Sequence, residues 1–112
     1  MSDKAVNNTK LPIACLLPNE EQAKRRERIV NDVFKKAEEV RELRDGFSFR
    51  YTGTDEWISK ISEFIMSERK CCPFFMFELL FALNTGPVYL HMRGSKDVKE
   101  FIKKGLLQHK SS

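Results

Sequence analysis

The sequence predicts an α+β fold, with elements in the order β-α-β-α-β-β-α, as a mixed four-stranded sheet carrying its helices mainly on one face. Three observations predict it. Apolar residues recur at helical spacing in two long segments, they alternate in three short ones, and turn-forming residues separate the segments. The chain of 112 residues has room for one core and little room for a second. With 41% hydrophobic and 32% charged residues, and nine Phe, it can fill an interior and cover a surface. The expected organisation is a disordered leader over residues 1–10, a single domain over 11–108 and a disordered tail over 109–112.

Taken in order, Leu11 to Leu17 is apolar and bracketed by Pro12 and Pro18, which suits a short edge strand. Asn19 can cap a first helix whose opening turn carries Glu20 and Glu21. Ala23, Val30, Val33, Phe34, Ala37 and Val40 then set its apolar stripe, so the helix is expected over Glu20 to Val40. Asp45-Gly46 signals a turn. Phe47, Phe49 and Tyr51 alternate with Ser48, Arg50 and Thr52, as on a half-buried strand.

Thr54 can cap a second helix with Trp57, Ile58, Ile61, Phe64 and Ile65 inward. Pro73 ends it, because the residue before a proline disfavours helical geometry. Phe74 to Leu83 reads as a strand with Phe75, Phe77, Leu79, Phe81 and Leu83 on the core face and Phe74, Met76, Glu78, Leu80 and Ala82 on the other. Asn84-Thr85-Gly86-Pro87 turns the chain. The returning strand buries Val88, Leu90 and Met92 and shows Tyr89, His91 and Arg93 outward. Ser95 can cap a last helix with Val98, Phe101, Ile102 and Leu106 inward.

Composition narrows the function classes. No stretch reaches the roughly 18 apolar residues of a membrane helix, and the polar opening segment is unlike a secretion signal, so a cytoplasmic protein is expected. The net charge is +4, but Lys24, Arg25, Arg26 and Arg28 are interleaved with Glu20, Glu21 and Glu27. That is the pattern of a solvated helix, and no nucleic-acid motif accompanies it, so nucleic acid is not an expected partner. Homo-oligomerisation through an outer sheet face bearing Met76, Leu80 and Tyr89 is an expectation.

The chemistry-bearing residues converge at the end of the second helix. At 100° per residue, Ile61, Ile65, Glu68 and Cys72 fall on one face, which brings a carboxylate and a thiol into the apolar stripe with Cys71 at its edge. A buried carboxylate must be paired, hydrogen-bonded, protonated or used as a ligand; Arg50, Arg93 or backbone N–H groups near Cys15 are the candidate partners. The three cysteines, Cys15, Cys71 and Cys72, are expected reduced, and adjacent ones are poorly placed to bond to each other.

Soft thiolates select soft ions, so Cys15, Glu68, Cys71 and Cys72 are candidate ligands for a thiophilic metal or metalloid ion such as Cu(I), Zn(II), Hg(II) or As(III). The competing reading is a non-catalytic structural or partner-binding module with these cysteines buried as small hydrophobes. A catalytic thiol is less favoured, because a helix C-terminus and a nearby carboxylate both oppose the thiolate, and neither His91 nor His109 is evidently placed as a base.

At Glu68-Arg69-Lys70-Cys71-Cys72-Pro73-Phe74-Phe75 the chain resembles a family of small bacterial proteins marked by an E-R-x-C-C-P-F segment. The resemblance extends to Ile13-Ala14-Cys15, Arg25-Arg26, Ala37-Glu38-Glu39-Val40, Gly86-Pro87-Val88-Tyr89-Leu90 and Lys99-Glu100-Phe101. Some members of that family are encoded near mercury- or arsenic-resistance genes. The resemblance singles out Cys15, Glu68, Cys71 and Cys72, the set that ligand chemistry also selects, and establishes no ligand for them.

Overall fold

A computed structural model describes residues 20–106. The strand expected over 11–17, the leader 1–10 and the tail 109–112 lie outside the described residues. The elements are α1 (Glu20–Lys35), β1 (Glu39–Leu43), β2 (Gly46–Tyr51), α2 (Asp55–Cys71), β3 (Met76–Phe81), β4 (Val88–Arg93) and α3 (Lys96–Phe101), which runs into a π-helical turn at Ile102–Leu106. The fold is α+β with a four-stranded sheet in the order β1-β2-β4-β3. All three pairings among the described strands are antiparallel. Two hairpins, β1-β2 and β3-β4, are therefore joined by α2, and β4 is inserted between β2 and β3.

The first helix ends earlier than the apolar spacing predicts. Ala37 is buried beyond the helix end, and Glu39 to Leu43 forms the edge strand β1, with Val40 opposite Phe49 and Leu43 opposite Gly46. The helical pattern through Val40 is overridden because a two-residue turn at Arg44 and Asp45 folds this segment back along β2, where Val40 still meets the core. Gly46 is required where it stands: a Cβ there would lie 1.9 Å from the Met92 carbonyl oxygen, inside the β2-β4 contact.

Thr54 caps α2 as expected, its hydroxyl accepting from the Trp57 N–H at 3.2 Å. Ser95 does the same for α3 through the Val98 N–H at 3.2 Å. The inner sheet face is the line Phe47, Phe49, Tyr51 on β2 and Val88, Leu90, Met92 on β4. It shares one core with Val30, Val33 and Phe34 of α1, Ile61 and Phe64 of α2, and Val98 and Ile102 of the C-terminal segment. Phe34 anchors this layer, tilted 4.7 Å from Phe49 and edge-on to Phe64 at 5.2 Å. The Tyr51 hydroxyl, buried with its ring, donates to the Val33 carbonyl at 2.8 Å.

Among the described residues, Ala23, Phe74, Phe81 and Leu83 depart from their expected places. Ala23 is exposed, so the buried face of α1 begins one turn later. Phe74, expected on the outer sheet face, precedes β3 and packs edge-on against Phe101 at 5.4 Å. Phe81 and Leu83 are exposed instead of inward, because β3 is an edge strand that stops at Phe81. Beyond it, Asn84 and Thr85 take the left-handed conformation, with φ of 57° and 52°, and the Gly86 N–H closes the turn onto the Leu83 carbonyl at 3.0 Å.

Candidate metal centre

The apolar stripe of α2 runs Ile61, Phe64, Glu68, Cys71, at spacings of three, four and three, and all four side chains are buried. Cys71 thus lies within the stripe and not at its edge, because the helix continues to Cys71 itself. Cys72 leaves helical geometry as the C-cap, with φ −130° and ψ 75°, while its N–H still donates to the Glu68 carbonyl at 2.6 Å. The cap turns the second sulfur back beside the first. The two Sγ atoms are 3.4 Å apart, in contact and not bonded to each other.

Glu68, Cys71 and Cys72 bring one carboxylate oxygen and two sulfurs within 4.8 Å of one another, all three side chains fully buried. Cys72 is a free thiol. Cys71 is disulfide-bonded, whereas the sequence predicts reduced thiols. The fourth expected ligand, Cys15, lies outside the described residues.

The partner of Glu68 is Arg26, and neither Arg50 nor Arg93. From α1, the Arg26 Nε donates to Oε2 at 2.7 Å and Nη2 donates to Oε1 at 2.8 Å, a two-pronged ion pair. The same Nη2 lies 3.8 Å from the Cys72 Sγ. Arg93 instead holds Asp45 at 2.6 Å and Glu78 at 2.7 Å on the open sheet face, and Arg50 is drawn to Glu38 and Glu39 on the neighbouring strand side. His91 pairs with Glu78 on that open face and takes no part in the thiol group.

Sequence reasoning placed Arg26 in a solvated basic run, yet a signal was present. Arg26, Val30, Val33 and Ala37 are spaced by four, three and four, so Arg26 continues the buried stripe of α1 by one turn. It is 17% exposed where Glu68 is 0%. Arg26 lines a groove of about 380 Å³ between α1 and α2, with Arg25, Ile29, Glu63, Ser67 and Lys70 among the walls. Arg26 therefore stands between this groove and the buried donors.

The electrostatics follow from burial. Desolvation, reinforced by the charge of Glu68, pushes the Cys72 thiol up to about 12, and Arg26 offsets only part of this. A thiol so placed is protonated at neutral pH and is a poor nucleophile. A bound cation would reverse the balance, since coordination deprotonates a thiol outright.

Compared with known proteins, the chain matches no protein-family model, no curated protein and no solved structure. Its functional reading therefore rests on its own residues. Among the described residues, no helix is long and apolar enough to cross a membrane.

Proposed function

We propose that the reduced protein binds a thiophilic metal or metalloid ion through the thiolates of Cys71 and Cys72, with the Glu68 carboxylate as an oxygen donor. The observation that carries this reading is the approach of three ligand atoms to within 4.8 Å in a fully buried group. Adjacent thiolates chelate a soft ion, and the carboxylate held by Arg26 keeps lone pairs for coordination. Because Cys71 is disulfide-bonded in the structure, reduction precedes binding, and a reducing compartment such as the cytoplasm is where the site would operate. Membership of the E-R-x-C-C-P-F family belongs to the same proposal.

The test is an anaerobic titration of the fully reduced protein with As(III), Hg(II), Zn(II) and Cu(I), following thiolate-to-metal absorption and thermal stability beside the Cys71→Ser/Cys72→Ser variant. Stoichiometric binding that stabilises the native protein and vanishes in the variant is the expected result. Binding indistinguishable from the variant's removes the proposal.

A second reading, a structural or partner-binding module, is favoured by the Arg26–Glu68 pair, which gives the buried carboxylate a partner without any ion. In that reading the pair fastens α1 to α2, and the exposed Met76 and Leu80 on the open sheet face support self-association. A strictly monomeric protein at high concentration would count against such a dimer.

A further inference from the structure

We infer that the disulfide at Cys71 gates the ion site: the oxidised group excludes cations, reduction opens it, and a bound ion in turn protects the thiols from oxidation. This inference rests on the ion-binding reading and names its regulation. It follows from the state in which the three donors stand.

In the oxidised group every donor is already satisfied without a cation. Cys71 is disulfide-bonded, so its sulfur carries no charge and is no thiolate ligand. Cys72 is a free thiol that burial, and then the charge of Glu68, keep protonated. The carboxylate of Glu68 is cancelled by the guanidinium of Arg26, which is bonded to both of its oxygens. The group is therefore neutral. Glu68, Cys71 and Cys72 are 0% exposed, so a cation entering them would carry uncompensated charge out of water, which is strongly unfavourable.

Reduction changes this balance. Breaking the bond at Cys71 frees two thiols, that of Cys71 and that of its disulfide partner, in addition to Cys72 and Glu68. Thiols give up their protons to a soft cation that binds them, so the reduced group can supply the negative charge that the oxidised one lacks.

The closing step needs an oxidant, and a small disulfide of the glutathione class supplies it. Cys71 and its partner give up two electrons: one S–S bond forms at Cys71 and the S–S bond of the oxidant breaks. Two glutathione thiolates leave and take up protons, the ion is released, and Cys72 recovers its proton. Linkage makes the gate reciprocal. An ion that binds only the reduced form shifts the thiol–disulfide equilibrium by the factor by which it stabilises that form, so free ion at about a hundred times its Kd shifts it about a hundredfold, or about 60 mV for two electrons.

The experiment uses Zn(II), which has no redox chemistry of its own, and Cd(II) as a softer analogue. Equilibrium dialysis under argon measures binding of each to the oxidised and the reduced protein, and circular dichroism checks that both forms are folded. The reduced form is expected to bind at least about tenfold more tightly. A glutathione redox titration follows, with free Zn(II) held constant by a chelator buffer; its midpoint is expected to move toward more oxidant by the factor that the affinities dictate. Cys72→Ser retains the disulfide and loses one donor, so its midpoint is expected to move less; if that variant is not folded, the two measurements on the unaltered chain decide alone. Equal or tighter binding by the oxidised form, or a midpoint indifferent to Zn(II), overturns the gate and leaves the ion-binding reading standing. A shift in folded Cys72→Ser equal to the parent's places the ion outside this group and overturns the gate as well. Binding of neither ion by the reduced protein also overturns it, and the ion-binding reading then stands or falls on its own As(III), Hg(II) and Cu(I) titrations.

Discussion

Arg26 on α1 and Glu68 on α2, 42 positions apart in sequence, are joined by two hydrogen bonds of 2.7 and 2.8 Å. The pair does two things at once. It ties the helices together beside the core, and it allows a carboxylate to sit within 4.8 Å of two buried sulfurs without leaving its charge uncompensated.

The two halves of this pair are not equivalent, so their removal should not be either. Arg26→Ala strands a carboxylate that has no exposure and is expected to destabilise the reduced protein by about 3–5 kcal/mol. Glu68→Ala leaves Arg26, which already borders the groove between α1 and α2 and can turn toward water; its cost should be smaller. Urea unfolding of both single variants and the double variant measures the difference. Equal costs below about 1 kcal/mol would mean that the pair anchors nothing.

A pH dependence follows from the thiol of Cys72. Its folded pKa is raised to about 12 from an ordinary value of 9.0, first by burial and then by Glu68, so folding favours the protonated form. The contribution is therefore fully present below pH 9 and is lost as pH rises toward 12. Reduced wild type should lose stability over this window more steeply than Cys72→Ala, which lacks the group. Urea midpoints at pH 8 and pH 10.5 for the two proteins provide the check; parallel slopes would contradict the assignment.

The hairpin between β3 and β4 holds Thr85, a β-branched residue, at φ 52°, a conformation that suits glycine far better. Thr85→Gly creates the Asn-Gly pair preferred in two-residue turns of this type and is expected to stabilise the protein by about 1 kcal/mol, less the exposed hydroxyl bond to the Asn84 carbonyl. A thermal melt measures it, and a lowered midpoint would show that the hydroxyl outweighs the backbone strain.

The residues differ in how far they could be read before the structure. Alternation exposed β2 and β4, and the Thr54 and Ser95 caps marked two helix starts, because these patterns are set by local backbone geometry. Glu39 to Leu43 misled for the opposite reason: its residues extend a helical stripe, and only pairing with β2 makes it a strand. The inward face of α2 was legible from spacing as far as Glu68, but spacing put Cys72 on that face and Cys71 at its edge, whereas the helix runs through Cys71 and ends at Cys72. The partner of Glu68 was not legible, since choosing Arg26 over Arg50 or Arg93 requires knowing that α1 crosses the end of α2 and that Arg93 is engaged with Asp45 and Glu78.

Phe64 tests whether the thiol group depends on the packing that precedes it on the same helix face. Its ring meets Phe34 of α1 at 5.2 Å and Phe77 of β3 at 6.2 Å, both edge-on, and it stands one turn before Glu68. Phe64→Ala should open a cavity and cost about 3–5 kcal/mol, whereas Phe64→Leu preserves most of the volume and should cost less. If the end of α2 is held in place from this point, the alanine variant will open locally and its Cys72 will react with iodoacetamide faster than in the leucine variant, under conditions where both remain folded. Equal alkylation rates would show instead that Arg26 and the C-cap alone keep Cys72 buried, and that the donor group is organised from its own end of the helix.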